Sequence, residues 1–487
     1  MSLYLGIDFG TSTNYITRWD EEKKKAVPIV GLSGYGSSKN NFPNVIYYQR
    51  SGIPIIGEPA FEKLKSDPSN AVYAVKRRIG EDKWTCHIEN INKDLTAYEV
   101  TRDIFSKIRE EIQKQFGGQY IDGAVISVPY SYQHKERSVI EGAAKAAGIR
   151  VVGLIEEPIA AALSYGMFNT EIEVGTREKV LIFDLGGGTF DVTIFEFLRE
   201  PDCFKIEVLN TAGHKNLGGN DIDELLKNKI VDSVLQIPLE ERNPKDQNKV
   251  LLVANEIKEA LSEDESCDVF KEDIYGSKEL EWEIEVKELE SLLKNGFLSK
   301  ITDVLDDAIF DVENLEPEDI DKVVLVGGSS NIPIIHKELT KYFGKEPIKT
   351  SRPEELVGEG AGIFCGMKLN GDKMPLKVVQ KISHAIGVKV GGKFKPLLAR
   401  NSEYEKWSPT IEYFTISGTE GTEAEIEIYQ GNSKNIKRCS YVGRIYIDTD
   451  DFSENKIGIS LGTDKNGKVI YKLYDINNNI VKQDEMN

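Results

Sequence analysis

Residues 1–370 alternate between short apolar runs and longer segments whose apolar positions recur with helical spacing. The apolar runs have the length of strands that are buried on both faces, and several of them end in glycine or proline. The helix-like segments include residues 137–148 and 159–165, and we expect Gly148 and Gly166 to end these two helices. Strands that alternate with helices in this way predict an α/β fold with mostly buried sheets. The clearest apolar runs are residues 3–5, 124–128, 180–182 and 323–326.

From about residue 381 the helical pattern stops and short β-type runs take over. Turn signals such as Asn466-Gly467 separate these runs at intervals typical of a β-sandwich. We therefore predict an α/β domain over residues 1–370, a linker over 371–380 and a β-sandwich domain over 381–487. The β-type runs are residues 385–390, 410–416, 424–429, 442–447, 457–461 and 469–473.

Composition excludes several classes of function. The chain has 487 residues, of which 40% are hydrophobic and 29% charged, values that are ordinary for a soluble protein of more than one domain. Its formal net charge of −19 argues against a nucleic acid or an anionic membrane surface as partner, because both attract basic surfaces. The sequence shows no apolar run long enough to span a membrane and no signal peptide, so we expect no membrane attachment.

Cysteine usage points to a reducing compartment. The five cysteines are scattered, odd in number and form no Cys-x-x-Cys pair, which favours free thiols that are buried as small apolar side chains. The five histidines show no metal-ligand spacing. We therefore expect a cytoplasmic protein.

Two glycine-bracketed aspartates carry the most specific chemical signal. Asp8 lies in Gly-Ile-Asp-Phe-Gly-Thr-Ser-Thr and Asp184 in Phe-Asp-Leu-Gly-Gly-Gly-Thr-Phe-Asp, and each follows an apolar run. Backbone N–H groups of a glycine turn can cradle phosphate oxygens, and an aspartate at a strand end can hold a hydrated Mg²⁺. One such turn is a weak signal, whereas two matching copies indicate a duplicated fold that closes on a nucleotide from both sides. A third turn, Gly327-Gly328, offers bare backbone against which a flat base can lie.

Three further motifs accompany these turns: Val75-Lys76-Arg77, residues 156–162 (Glu-Glu-Pro-Ile-Ala-Ala-Ala) and residues 216–221 (Asn-Leu-Gly-Gly-Asn-Asp). With them the chain resembles the 70-kDa heat-shock chaperone family from residue 3 to about residue 475. The resemblance implies a duplicated actin-like ATPase fold, with two lobes around a nucleotide cleft, followed by a peptide-binding β-sandwich. It also implies ATP/ADP and Mg²⁺ as cofactors, and slow ATP hydrolysis that controls the binding of exposed apolar segments of unfolded proteins.

Two other functions stay open at this stage. A nucleotide-binding regulatory or exchange-factor relative would hold ATP with little turnover, and an actin-like filament protein would share the phosphate turns. The resemblance implies unfolded or extended polypeptides as partners, with a J-domain co-chaperone and a nucleotide exchange factor as further ones. The chain ends at Asn487, where the sandwich is expected to end, so we expect a short form without the helical lid of the family.

The resemblance also assigns roles in the nucleotide site. Lys76 places its charge against the γ-phosphate and the attacking water, and Asp8 and Asp184 hold the waters of Mg²⁺. From the sequence alone, Lys76 could instead be a solvated lysine in a basic run, and Glu157 an acid favoured by a helix start. The expected catalytic residues are Lys76, Asp184, Glu157 and Thr189. The expected nucleotide-binding residues are Gly10, Thr11, Ser12, Thr13, Gly186, Gly187, Gly188, Lys258, Ser262, Gly327, Gly328, Ser329 and Glu354.

The adenine side departs from the pattern of the family. Lys258 and Ser262 match its adenosine-contacting helix, but Glu259 and Asn331 stand where arginines usually sandwich the adenine. The loss of two partly exposed cation–π contacts would cost about 1–3 kcal/mol of binding free energy. We therefore expect weaker nucleotide binding and a weaker preference for adenine.

Communication between the domains and peptide binding are expected from the linker and the sandwich. Pro375 and Lys377 interrupt the leucine run that the family has in its linker, and the remaining apolar residues there are able to dock. An extended peptide would be held by backbone hydrogen bonds and one apolar pocket, although alternating apolar residues of a sandwich are more often core. The expected coupling residues are Pro129, Arg137, Leu376, Val378 and Val379. The expected peptide-binding residues are Val388, Val390, Phe414, Ile416, Ala424 and Ile426.

Overall fold

The computed structural model describes residues 2–32, 40–168, 173–294, 296–350, 352–371, 376–415, 423–448, 452 and 456–486. Its residues form two compact units. The first unit contains Met1–Tyr130 and Gly142–Lys377, and the second contains Ser131–Glu141 and Val378–Asn487.

Strands and helices alternate through the first unit, and strands dominate the second. In chain order the strands are β1 (Tyr4–Phe9), β2 (Thr13–Asp20), β3 (Lys25–Pro28), β4 (Asn41–Pro43), β5 (Val45–Tyr48), β6 (Pro54–Ile56), β7 (Ala71–Tyr73), β8 (Thr85–Ile88), β9 (Lys93–Thr96), β10 (Gly123–Val128), β11 (Val151–Glu156), β12 (Arg177–Leu185), β13 (Phe190–Arg199), β14 (Phe204–His214), β15 (Ser266–Tyr275), β16 (Lys278–Glu285), β17 (Lys322–Val326), β18 (Leu376–Val379), β19 (Ile386–Val390), β20 (Lys393–Leu398), β21 (Glu412–Thr415), β22 (Glu423–Gln430), β23 (Ser440–Asp448), β24 (Lys456–Thr463), β25 (Val469–Tyr474) and β26 (Ile480–Glu485). The helices are α1 (Glu58–Ser66), α2 (Ala97–Gln115), α3 (His134–Ala146), α4 (Glu157–Phe168), α5 (Gly219–Lys229), α6 (Pro244–Glu263), α7 (Val286–Lys294), α8 (Phe297–Phe310), α9 (Pro333–Phe343) and α10 (Leu356–Asn370).

Two larger sheets organise the first unit, and they share one pattern. The first has the order β11-β10-β1-β2-β3, with β4 paired to β2, and the second has the order β17-β12-β13-β14-β18. In each sheet a central strand pairs with a parallel neighbour on one side (β10 or β17) and with the next strand of the chain, antiparallel, on the other. The central strands are β1 and β12, which carry Asp8 and Asp184. The structure is therefore mixed α/β, with the same strand arrangement occurring twice.

Helix α10 supports the first sheet through unusually close packing. It contains four glycines, although each glycine inside a helix costs up to about 1 kcal/mol relative to alanine. At Gly360 an added Cβ would overlap the backbone of Ala160 in α4, and at Gly6 in β1 it would overlap the backbone of Gly362. The glycines let α10 lie directly against β1 and α4, which fixes the strand that carries Asp8.

The predicted end of the second helix was wrong. Helix α4 continues through Gly166 to Phe168. An added Cβ at Gly166 would lie 2.9 Å from Phe204 and 3.1 Å from Phe197, so this glycine makes room for packing against two phenylalanine rings. Gly148, by contrast, has φ of +81° directly after α3, as a helix-ending glycine does.

The second unit contains two four-stranded antiparallel sheets, in the orders β20-β19-β22-β23 and β21-β24-β25-β26. Alternate residues of both sheets form one apolar core, so the two sheets make a sandwich. The β-type runs of the sequence correspond to six of these strands. The structure adds β20 and β26, whose alternation is weak: all six residues of β26 are exposed.

The segment Ser131–Glu141 belongs to this second unit, although the sequence alone placed it inside residues 1–370. It is held by polar contacts: the Nη1 of buried Arg137 donates to the carbonyl oxygen of Asn466 at 3.2 Å. The backbone N–H of His134 donates to Oε1 of Gln430 at 3.1 Å. Arg137, one of the expected coupling residues, therefore contacts a turn of the sandwich.

Candidate nucleotide site

Two hairpins converge on one cavity in the first unit. In the register of β1 with β2, Asp8 stands opposite Tyr15, and in the register of β12 with β13, Asp184 stands opposite Asp191. Both hairpins turn through the predicted glycine sequences, and a cavity of about 80 Å³ lies beside the turns. It is lined by Asp8, Gly10, Thr11, Ser12, Thr13, Lys76, Glu157, Asp184, Gly186, Gly187, Thr189, Gly327, Gly328, Pro353, Glu354 and Val357.

At Gly187 and Gly188 of the second glycine turn an added Cβ would overlap neighbouring side chains. A Cβ at Gly188 would lie 2.6 Å from Thr11 and 2.8 Å from Nε of Arg77. The backbone N–H of Gly186 donates to the carbonyl of Thr189 at 3.1 Å, which closes the turn. A bare backbone at this position lets a ligand approach the peptide N–H groups directly.

Lys76 and Glu157 form a buried ion pair beside the turns. Lys76 lies on the short 3₁₀ turn Val75–Arg78, and Glu157 is the first residue of α4. Nζ of Lys76 contacts Oε1 of Glu157, and the two residues are only 4% and 6% exposed. The alternative of a solvated Lys76 is therefore wrong. Because charges are buried only where partners compensate them, Glu157 stabilises the buried Lys76 ammonium and holds it at the cavity wall.

Three buried aspartates near the two glycine turns have pKa values above the ordinary value of this side chain. Burial raises the pKa of Asp8 to about 6 despite the nearby charge of Lys76 and a 2.7 Å hydrogen bond from Ser127. Burial, together with Glu157 and the other aspartates, holds the pKa of Asp184 well above its ordinary value. Burial and the charge of Glu157 raise the pKa of Asp191 to about 8. The sequence reasoning missed Asp191, although it ends the second glycine motif.

The carboxylates fit a divalent cation that takes few protein ligands. Asp8 and Asp184 line the same cavity, and burial is the main cause of their raised pKa values, so a bound cation would favour their ionised forms. Within the described ranges no group of three or more His, Cys, Asp or Glu side chains could enclose a metal ion. Mg²⁺ typically retains several waters and uses one or two carboxylates plus phosphate oxygens, which suits this donor set.

The opposite end of the site carries the residues expected to hold the nucleoside. Gly327 has φ of +79°, a conformation that favours glycine, and a Cβ at Gly328 would meet nothing within 4 Å. A Cβ at Gly219 would lie 2.5 Å from Oγ of Ser329 and 3.0 Å from Nζ of Lys258, so these two side chains adjoin the start of α5. Open glycine backbone and neighbouring polar side chains together offer a face for a flat ring.

The remaining residues of this side have partners of their own. Lys258 pairs with Asp223 at 2.8 Å, and Ser262 donates to the carbonyl of Lys258 at 2.9 Å. Glu259 is exposed and Asn331 is half-buried, so neither side chain is committed to the core. The position of Glu259 and Asn331 beside the base stays a prediction.

Polar contacts that the sequence reasoning did not identify join the two glycine turns. The hydroxyl of Tyr73 lies 3.0 Å from Oγ of Ser12 and 3.3 Å from Oδ1 of Asn220. Arg77 donates to the carbonyl of Gly188 at 3.0 Å and to Oδ2 of Asp221 at 2.8 Å. The contacts among Ser12, Tyr73 and Asn220 join residues that are 61 to 208 positions apart in sequence, so only the fold brings them together.

Five of the six expected peptide-binding residues lie in described strands of the sandwich. Val388 is 1% exposed and belongs to the core, whereas Val390, two residues further along the same face, is 42% exposed. Ala424 and Ile426 are half-buried on a face whose next residue, Ile428, is fully buried. The apolar face of β19 and β22 therefore extends from buried positions in the core to more exposed positions. Phe414 is half-buried against the same core, and Ile416 lies outside the described residues.

The expected coupling residues lie in two places. Pro129 is buried directly after β10. Leu376, Val378 and Val379 belong to β18, and the side chains of the two valines are half-buried. The division between the two units falls inside this strand, after Lys377.

Asp191 predicts a pH dependence of stability for the nucleotide-free protein. Because its pKa is raised to about 8, folded Asp191 keeps a proton that the unfolded chain loses above about pH 4. This contribution to stability is complete at low pH and is lost as the pH rises through 8. Asp191→Asn cannot titrate, whereas the wild type loses about 1.4 kcal/mol of stability per pH unit between pH 5 and pH 8. The Tm of the variant minus the wild-type Tm should therefore grow by about 2–4 °C per kcal/mol lost. Exposed Asp202→Asn should show no such trend. A constant difference for Asp191→Asn would contradict the prediction.

No helix within the described ranges combines the length and apolar character needed to cross a membrane.

The chain is similar to known proteins over most of its length. The Hsp70 protein family model matches residues 4–485. The curated relatives include the proteins named Chaperone protein DnaK of Thermotoga petrophila and Thermotoga sp., each 32% identical over 452 residues, which cover 90% of this chain and 72% of the relative. The Chaperone protein DnaK of Thermosipho africanus is 30% identical over 438 residues, covering 88% of this chain and 70% of the relative.

A match over nearly the whole chain decides between the functions that the sequence left open. It does not favour a regulatory relative with little turnover or an actin-like filament protein, since the matched family is that of ATP-hydrolysing chaperones. The chain belongs to the Hsp70 family of ATP-dependent molecular chaperones.

Proposed function

We propose that ATP is hydrolysed in the cavity between the two glycine turns, and that this reaction controls the binding of extended apolar peptide segments by the sandwich. The observation that supports this most is the convergence of Asp8, Lys76, Glu157 and Asp184 with bare glycine backbone in one cavity. In this proposal residues 1–370 form a duplicated actin-like ATPase domain, residues 371–380 the linker and residues 381–487 the peptide-binding domain.

Phosphoryl transfer to water requires charge neutralisation and an aimed nucleophile more than covalent help. The backbone of Gly10, Thr11, Ser12 and Thr13 would hold the phosphates from one side, and that of Gly186, Gly187 and Gly188, with Thr189, from the other. Asp8 and Asp184 would hold Mg²⁺ through its waters, and the ion would supply charge neutralisation at the phosphates.

Lys76 and Glu157 would act on the terminal phosphate. The ion pair keeps the Lys76 ammonium at a fixed place, so its charge is available to the developing transition state without reorganisation. Asp184 would orient the attacking water, and Lys258, Ser262, Ser329 and Glu354 would hold the nucleoside against Gly327 and Gly328.

The sandwich would bind a peptide where its apolar face emerges. Val390, Ala424, Ile426 and Phe414 combine apolar surface with partial exposure, whereas Val388 is core and would act as the floor beneath them. An extended segment would gain backbone hydrogen bonds and one apolar pocket. A J-domain co-chaperone and a nucleotide exchange factor are proposed as further partners, and the cytoplasm as the location.

ATP turnover with and without an apolar peptide tests this function. A leucine-rich heptapeptide should stimulate the turnover of the full chain several-fold, whereas the same peptide with its leucines replaced by aspartates should not. Ile426→Asp should abolish the stimulation and leave basal turnover intact, because a charge in the half-buried pocket is poorly solvated. Ile480→Asp, at an exposed position of β26, serves as the matched control. Absence of any turnover would refute the ATPase assignment, and equal stimulation in wild type and Ile426→Asp would refute the pocket.

A further inference from the structure

Three polar atoms form a compact cluster between the two glycine turns. The hydroxyl of Tyr73, Oγ of Ser12 and Oδ1 of Asn220 lie between 3.0 and 3.3 Å from one another. Two hydroxyl hydrogens are thus shared among three oxygens, so any two of the three contacts can be hydrogen bonds at once. Tyr73 ends β7 and Ser12 follows β1, whereas Asn220 lies in the first turn of α5.

The cluster lies directly against the second glycine turn. A Cβ at Gly187 would overlap Oγ of Ser12 and would lie 3.5 Å from Oδ1 of Asn220. The backbone N–H of Asn220 also donates to the carbonyl of Gly187 at 2.7 Å. The contact between Ser12 and Asn220 therefore links the first glycine turn to the second through Gly187.

Arg77 also connects the early part of the chain to the second glycine turn. Arg77, four residues after Tyr73, contacts the carbonyl of Gly188 and the carboxylate of Asp221. Ser12, Tyr73 and Arg77 precede residue 80. Apart from the contact between Ser12 and Tyr73, their partners in these contacts are Gly188, Asn220 and Asp221. The contacts therefore bridge the cavity rather than stabilise one side of it.

We propose that the hydroxyl of Tyr73 is a positioning group for the nucleotide: through Ser12 and Asn220 it holds the first glycine turn against the second and so slows nucleotide release. The inference rests on the proposed nucleotide site, because the two turns are the ones that would clasp the phosphates. Tyr73 acts through its neighbours and does not line the cavity itself. Burial raises the pKa of Tyr73 to about 12, so the hydroxyl remains a donor at neutral pH.

Tyr73→Phe removes the hydroxyl and keeps the ring and the strand pairing of β7 with β5. We expect a fluorescent ADP analogue to dissociate about 3- to 10-fold faster from the full-length variant, which corresponds to the loss of one hydrogen bond. The KM for ATP should rise by a similar factor, while single-turnover hydrolysis at saturating ATP stays within about twofold, because Lys76 and Glu157 are untouched. Tyr47→Phe is the matched control: Tyr47 lies on the neighbouring strand β5, and its hydroxyl bonds to Asp67 at 2.9 Å, away from the cluster.

A double-mutant cycle separates positioning from a general loss of stability. Asn220→Ala should accelerate dissociation at least as much as Tyr73→Phe does, because it also removes the direct contact with Ser12. The double variant should be little faster than Asn220→Ala alone, since the Tyr73 hydroxyl then has no acceptor on α5. Dissociation at the wild-type rate in Tyr73→Phe, or effects that multiply in the double variant, would overturn the inference while leaving the nucleotide site standing. Failure of the wild type to bind the analogue would overturn the site and the inference with it.

Discussion

Replacement of Lys76 by methionine is expected to lower the rate of ATP hydrolysis about 100- to 1,000-fold, the usual cost of removing one preorganised group that stabilises transition-state charge. Nucleotide affinity should change by no more than about threefold, because the glycine turns that would hold the phosphates remain. Single-turnover hydrolysis and equilibrium binding of ATP, measured on the same samples, separate the two effects. Equal hydrolysis rates for wild type and Lys76→Met would remove Lys76 from the mechanism.

The buried ion pair complicates this experiment and also provides its control. Lys76→Met leaves the Glu157 carboxylate buried without its partner, which typically costs about 3–5 kcal/mol of stability. The double variant Lys76→Met with Glu157→Gln removes that unpaired charge, so its Tm should recover. Because Glu157 also belongs to the proposed site, the double variant tests stability alone: a recovered Tm would show that the unpaired carboxylate destabilises Lys76→Met. Exposed Lys83→Met should match the wild type in both measurements.

The parts of the site that the sequence predicted are those in which local sequence determines local structure. Asp8 and Asp184 each follow an apolar run and precede glycines, and a buried strand followed by a tight turn is a local pattern. The β-type runs of the sandwich were recognisable for the same reason, since period-two alternation is read within a few residues. The weakly patterned strand β26 escaped notice because none of its residues enters the core.

The parts that the sequence did not predict depend on contacts between distant segments. Tyr73 has an ordinary position at the end of a short strand, and only the fold places its hydroxyl beside Asn220, 147 residues later. Gly166 has the sequence context of a helix end, yet two phenylalanines from other strands determine its role. The high pKa of Asp191 likewise results from burial in the tertiary structure, which a single sequence does not reveal.

Arg137 is expected to control how strongly ATP weakens peptide binding. Its side chain donates to the carbonyl of Tyr132 at 3.0 Å and to that of Asn466 at 3.2 Å, and its guanidinium lies 5.9 Å from the ring centroid of Tyr404. The segment that carries Arg137 follows β10, whose Ser127 donates to Asp8 in the nucleotide site. Ten residues of chain therefore connect a group at the cavity to a buried contact with a turn of the sandwich.

We expect ATP to weaken peptide binding by the wild type about 5- to 150-fold relative to ADP, the usual range of coupling between two sites. In Arg137→Ala this ratio should fall to less than about twofold, because the carbonyls of Tyr132 and Asn466 lose their shared donor. Peptide affinity in ADP and basal ATP turnover should stay near wild type. Peptide dissociation constants in ADP and in ATP give the ratio directly, and exposed Arg150→Ala, beyond the end of α3, serves as the control.

The linker offers an independent test of the same coupling. Val378→Asp places a charge on a half-buried position of β18, at the residue where the chain passes from the first unit to the second. If both routes are required, each variant alone abolishes the effect of ATP, and their combination adds nothing further. Loss of the effect in Val378→Asp with full retention in Arg137→Ala would show that the linker alone transmits it. Equal dissociation constants in ADP and ATP for the wild type would mean that the two activities are not coupled, since linkage acts on both binding events by the same factor.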